Sequence, residues 1–338
     1  MIPNGVGMNS RLVLTAIVFL ALEVVMVDAA ISGERGGRGS MINVGETIGR
    51  LKGHLETLTR SIGERSVLVP QNLERSADYI ESFYRGLGLP VRREPYRYRD
   101  YTVANIVAEI SFCPTPSKRY LLGAHYDSVS GTVGADDNAS AIAVQLETAR
   151  HLKKLEGQVE LDLEIVLVSF ALEEPPVYGT RHMGSRIYAK KAKEEREQID
   201  GMICLEMVGY TCHDPGCQGY PFPLMFFGYP DEGNFVGIVG NYGSRRLTDT
   251  LFQAFQRNPE LPVIKLSIPL AGWLLPSVRL SDHASFWDRG FKAVMITDSA
   301  YYRNPNYHQF TDTMEKLDYG FMAELVESLL IFFRSFEQ

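Results

Sequence analysis

His125-Tyr-Asp127, the run Asp136-Asp137-Asn138, the pair Glu173-Glu174, then Glu206 and His308 lie far apart along the chain, yet their types belong together around divalent metal ions. Imidazole nitrogens combined with carboxylate oxygens suit zinc or a related first-row ion, whereas thiolate-rich sets mark structural zinc. A carboxylate placed between two ions bridges them at roughly 3.5–4 Å over one activated water, and Asp137 is the natural bridge. Neighbours in an extended segment point to opposite sides, so one of Glu173 and Glu174 can bind metal while the other stays free beside that water. A free carboxylate there serves as general acid and base, a role worth about 10²–10⁴-fold in rate. The chemistry these residues describe is metal-assisted hydrolysis.

Such groups need a scaffold that gathers them at one edge. Short apolar runs bounded by turn residues, at 105–110, 120–126, 163–172, 201–209, 224–229 and 293–297, read as strands buried on both faces. Apolar spacing of three and four predicts helices over 44–62, 69–87, 140–155, 185–198 and 318–336. The alternation implies an α/β fold: a three-layer domain with a mostly parallel mixed central sheet flanked by helices. His125 and Asp127 fall at the carboxyl end of one predicted strand, Glu173-Glu174 just past a second, and Glu206 near the end of a third. That edge is where open α/β sheets bind ligands.

Composition narrows the partners. The chain has 338 residues, 45% apolar and 22% charged, which is enough for a large core. Thirty-four Lys and Arg against 41 Asp and Glu leave a net charge of −7 with no basic block, so nucleic acid is not an expected partner. No repeat period points to a solenoid scaffold, and no stable protein partner is expected.

Residues 1–29 read as a signal peptide or N-terminal anchor. Arg11 precedes an apolar run over 12–22, and Val27-Asp28-Ala29 offers small residues for cleavage. Glu23 interrupts the run short of the ~20 residues that span a bilayer. Residues 30–40 form a flexible spacer and 41–338 a single domain. The expectation is an exported protein, periplasmic or secreted, touching a membrane only if the first segment is retained. Cys212 and Cys217 flank His213-Asp214-Pro215-Gly216, a turn compatible with a disulfide, with free thiols or with a metal pair. Cys204 and Cys113 read as structural.

Several motifs together resemble the zinc peptidases of family M28: Gly-Ala-Asp-Asp-Asn-Ala-Ser over 134–140, Glu173-Glu174 followed by Met183-Gly184-Ser185, Leu205-Glu206-Met207-Val208-Gly209, Ser281-Asp282-His283 and Asn304-Pro305-Asn306-Tyr307-His308. The likeness runs from about residue 66 to 335 in the family's order. It implies a zinc exopeptidase, foremost an aminopeptidase acting on peptide or protein N-termini, with two zinc ions or other divalent ions. It implies that His125, Asp137 and Glu206 hold one ion, that Glu174 and His308 hold the other, and that Asp137 bridges them. Glu173 is then the general base, Asp127 orients His125, and Tyr307 polarises the scissile carbonyl. The resemblance also implies a cis Asp136–Asp137 bond, and that His283 either supports a ligand from behind or is structural. Carboxypeptidase or glutaminyl cyclase activity on the same fold, and a non-catalytic binding protein, are the alternatives.

The sequence departs from the family's pattern at three places, of which only the third bears on the substrate pocket. Ala141 stands where relatives usually carry Gly, and Glu206 where the simplest aminopeptidases carry Asp. The turn after Glu174 is long, which makes Arg181 and His182 pocket candidates. Tyr210, Tyr220, Phe222, Phe226, Trp273, Phe286 and Tyr301 are aromatic candidates for pocket or core.

Overall fold

Side chains alternate across a strand, and the central strands here bury both faces, so each apolar run feeds two cores at once. The computed structural model describes residues 40–221 and 228–337. Eight strands form one sheet: β1 (Val91–Tyr98), β2 (Tyr101–Ser111), β3 (Arg119–His125), β4 (Glu164–Phe170), β5 (Gly201–Glu206), β6 (Val236–Asn241), β7 (Val263–Ile268) and β8 (Ala293–Thr297). Their order is β1-β2-β4-β3-β5-β8-β6-β7. Neighbours β4-β3-β5-β8 run parallel, as do β6 and β7; β1-β2, β2-β4 and β8-β6 are antiparallel. The mixed, mostly parallel sheet expected from the sequence is therefore the one observed.

Helices cover both faces. Helices α1 (Val44–Leu55), α2 (Pro70–Gly86), α3 (Ala141–Leu155), α5 (Arg245–Phe255) and α7 (Tyr319–Arg334) enclose the larger core with Leu122, Ala124, Ile203 and Leu205. Helices α4 (Gly184–Glu194) and α6 (His283–Trp287) close the other face over Leu121, Met202 and Cys204. Local signals set the boundaries. Asn43 accepts the Glu46 N–H to cap α1, Asp318 accepts the Phe321 N–H to cap α7, and Pro70 opens α2.

The differences from the sequence reading have physical causes. The helix expected over 44–62 passes into a π-helical turn (Glu56–Ile62) and stops at Gly63, whose φ of 89° a side chain would oppose. Strands β1, β6 and β7 and helices α5 and α6 lie where the sequence reading places no element. The strand expected at 224–229 falls largely on 222–227, outside the described residues, as do the segments over 1–29 and 30–39. Among the described residues no helix is long and apolar enough to cross a membrane.

The chain leaves β3 toward β4 on one side and returns as β5 on the other. This is the switch point at which parallel sheets open a crevice. His125 is the last residue of β3, in register with Phe170 of β4, and Glu206 ends β5 opposite Thr297 of β8.

Candidate metal centre

Six of the eight singled-out groups, Asp127, Asp137, Glu173, Glu174, Glu206 and His125, are buried, while Tyr307 and His308 are half-buried. Strand ends deliver His125 and Glu206, the segment past β4 delivers Glu173 and Glu174, the turn entering α3 delivers Asp137, and the segment past β8 delivers His308. His125 Nε2 lies 3.4 Å from Asp137 Oδ1 and 3.3 Å from Glu206 Oε2. His308 Nε2 lies 3.2 Å from Asp137 Oδ2 and 3.2 Å from Glu174 Oε2. Two ligand groups result, His125-Asp137-Glu206 and Asp137-Glu174-His308. They share one aspartate, which turns a different oxygen to each.

Glu173 belongs to neither group. Its Oε2 stands 3.9 Å from His125 Nε2, beside the cluster rather than within it. Asp127 works from behind: its two oxygens accept the N–H groups of Glu173 and Glu174, each at 3.0 Å, and Oδ1 stands 3.4 Å from His125 Nδ1. One carboxylate thus orients three members of the centre, as carboxylates commonly do for metal-bound imidazole. Tyr307 stacks on His308 with ring centroids 3.8 Å apart. Burial and the surrounding carboxylates push its hydroxyl up, so it stays protonated and able to donate.

The residues fit a cation. His125 Nε2, on the side of Asp137 and Glu206, and Oε1 of Glu174 are buried without a hydrogen-bond partner, a costly state that a metal ion relieves. Charge points the same way. Burial holds the Glu173 carboxyl well above its usual range, with Glu206 and Glu174 adding to it and His125 opposing. Burial and Asp137 push Glu174 up to about 8. Burial would raise Asp137 too, but its contacts with His125 and His308 hold it well below the carboxylate range. Burial alone would lower His308, yet Asp137 and Glu174 push it up to about 10.

A pH dependence of the metal-free chain follows. From pH 4.5 to about 8 the folded state holds a proton on Glu174 that the unfolded state has released. From 6.5 to about 10 the same is true of His308. Where the folded state binds more protons, stability falls as pH rises. Burial pushes Asp312 and Asp282 up to about 7 and Asp298 to about 6, which acts in the same direction. Burial lowers His151 and His283 to about 4, which opposes this trend below pH 6.5; the melting temperature in chelator is therefore expected to fall between about pH 6.5 and 9, and zinc to stabilise most at the alkaline end. A chelator series that stays flat or rises would contradict this.

Supports that the sequence did not disclose hold the ligands in place. Asp312 accepts the N–H groups of Asp136 and Asp137 at 2.9 and 3.2 Å. Asn138 donates to the Leu205 carbonyl and accepts the Met207 N–H, tying the aspartate turn to the end of β5. Gly134, at φ 52°, has no room for a side chain: a Cβ would stand 2.3 Å from the Asp137 carbonyl oxygen. Asp136 is no ligand. It accepts from Gly209 N–H and the Asn304 amide and sits against Asp298. Ser281 donates to Glu206 at 2.6 Å. His283 is structural, with Nε2 on the Val278 carbonyl and its ring edge-on to Trp287.

The cis bond expected at Asp136–Asp137 lies one step later, at Asp137–Asn138, and a second joins Pro175 to Pro176. Leu172, Met207 and His308, each in or beside the centre, have positive φ, a strained state typical of functional sites. Cys212 and Cys217 form a disulfide.

Beside Glu206 and Tyr307 opens a recess of about 800 Å³, part of it open to solvent, lined by Phe235, Ile238, Val239, Met295 and Tyr301 among others. Of the aromatic candidates, Tyr220 and Tyr301 line it, Phe286 is core, Trp273 is exposed under Arg279, and Phe222 and Phe226 lie outside the described residues. Arg181 is exposed and His182 packs on Tyr98; neither lines the recess.

Two histidine-carboxylate groups sharing one aspartate at the carboxyl edge of an α/β sheet define a metal-dependent hydrolase. The model of peptidase family M28 matches residues 105–332, and the chain belongs to this family. It is 36% identical over 281 residues to the uncharacterized protein YfbL of Escherichia coli K12, covering 81% of this chain and 83% of that one. The chain spans about half the length of the fungal probable zinc metalloproteases it also matches. Its fold is similar to BSAP, a zinc aminopeptidase from Bacillus subtilis, with a TM-score of 0.64 at 15% identity over 85% of this chain and 94% of that one. It is also similar to Porphyromonas gingivalis glutaminyl cyclase, with a TM-score of 0.62 at 18% identity over 88% and 99%. The fold is thus common to both activities, and the choice between them rests on the site.

Proposed function

We propose that the protein is a zinc-dependent aminopeptidase that hydrolyses the N-terminal peptide bond, and that each ligand group would hold one of two ions. The observation that carries this reading is the divided aspartate: Asp137 turns Oδ1 to His125 and Oδ2 to His308. His125 and Glu206 complete one position, Glu174 and His308 the other. When bound, zinc supplies Lewis acidity and lowers the pKa of a coordinated water. Glu173, free of both groups, takes the proton of the attacking water and passes it to the leaving amine. Its place beside the cluster, 3.9 Å from His125 Nε2 and outside both ligand groups, suits a carboxylate that exchanges a proton with a water held there. The Tyr307 hydroxyl donates to the carbonyl oxygen as charge develops there, and Asp127 keeps His125 and the Glu173-Glu174 backbone in place.

The recess supports a large apolar or aromatic N-terminal side chain as substrate, because burying an unpaired charge among Phe235, Ile238 and Met295 is costly. Export is supported by the apolar run after Arg11, and by a Cys212–Cys217 disulfide suited to an oxidising compartment. The test is a panel of peptides offered to the zinc-loaded protein with free or acetylated N-termini. Release of single residues from free-amine peptides only, with Leu and Phe ahead of Asp and Lys, is expected. Cleavage of acetylated peptides, release from the C-terminus, or cyclisation of N-terminal glutamine without hydrolysis would overturn the reading.

A further inference from the structure

Arg65 lies outside the residues matched by the family model and outside both ligand groups. It follows the turn at Gly63 and precedes α2, yet its side chain is fully buried. A buried guanidinium is costly unless its donors are satisfied. Here every side-chain hydrogen bond among the described residues goes to a backbone carbonyl, while Asp127 and Asp312 offset the charge from nearby. Nε donates to Tyr126 at 2.7 Å, Nη2 to Gly134 at 2.9 Å, and Nη1 to Val133 at 2.7 Å and to Leu58 and Gly63 at 3.2 Å. The Arg65 N–H adds a bond to Ser128 Oγ, and that hydroxyl donates to Thr132.

The placement of those carbonyls gives the residue its meaning. Tyr126 lies between His125 and Asp127, so its carbonyl fixes the backbone that carries one ligand and that ligand's orienting carboxylate. Val133 and Gly134 lead into the turn that carries Asp137. One planar fork therefore spans two ligand loops and joins them to the end of the first helical segment. The ammonium of lysine, a single point of charge, cannot reach carbonyls in all these directions. The chain spends a buried charge on holding two loops at a fixed separation.

We propose that Arg65 is a positioning residue for the metal centre, setting the distance between His125 and Asp137 so that zinc affinity depends on a side chain that touches no ion. The inference rests on the zinc reading above. Its test compares R65M, R65K and L51A, the last altering a fully buried core residue of α1 that has no part in the centre. Zinc affinity is measured by chelator competition, and folding of the metal-free chains by circular dichroism and thermal melting.

R65M and R65K are expected to bind zinc about 10–100-fold more weakly than wild type, the range typical of lost outer-shell support. L51A is expected to melt lower and keep wild-type zinc affinity. R65K keeps the charge and most of the volume, so it serves where R65M does not fold. Wild-type zinc affinity in either Arg65 variant, or an equal loss in L51A, would overturn the proposal while leaving the zinc reading intact. A wild-type chain that binds no zinc would overturn both.

Discussion

Glu173→Gln is expected to lower kcat by about 10²–10⁴-fold while leaving zinc content and KM close to wild type. The substitution keeps size and one oxygen but removes the ability to take a proton. Glu173 stands outside both ligand groups, so the ions have no reason to leave. Its backbone N–H still reaches Asp127, so His125 and Glu174 hold their places. A loss confined to kcat separates a proton carrier from a ligand, because loss of a ligand would lower metal content as well. The checks are steady-state kinetics on a leucyl-anilide and metal analysis of the same preparation. Full activity in the variant would remove Glu173 from the mechanism.

Asp137→Asn has a different signature. The amide presents one oxygen where the carboxylate presents two, so it can supply a ligand atom to at most one of the two ligand groups. It also removes the negative charge that burial would otherwise suppress and that His125 and His308 maintain. Zinc content is expected to fall to one ion or fewer per chain, and kcat/KM by more than about 10²-fold, beyond the 10–100-fold of a lost outer-shell partner. Activity and metal should fall together, unlike in E173Q. Retention of two ions in this variant would show that Asp137 does not bridge.

The ligand set was legible in the sequence because each member sits at a strand end or in a short motif whose neighbours are also constrained. His125 closes β3 and Glu206 closes β5, so apolar runs of five to seven residues announced their positions. The supports were not legible. Asp312 reaches Asp136 and Asp137 across more than 170 residues of chain through backbone N–H groups, and the Arg65 guanidinium hydrogen-bonds only to backbone carbonyls. Backbone partners leave no mark on residue types. Strand β1 was hidden for another reason. Its sequence is rich in arginine because it is an edge strand, and Arg93 pairs with Glu74, Asp78 and Glu81 on α2. Strand β6 carries Gly237 and Gly240, which blur its apolar pattern; a Cβ at Gly240 would strike Thr248 of α5.

The fold carries both peptidase and cyclase relatives, so the number of ions is the most direct measure of the central claim. Native mass spectrometry of the zinc-reconstituted chain counts them without reference to any substrate. Two zinc ions per chain, both removed by chelator and restored together with aminopeptidase activity, is the result the divided Asp137 predicts. A single tightly held ion at full activity would contradict it.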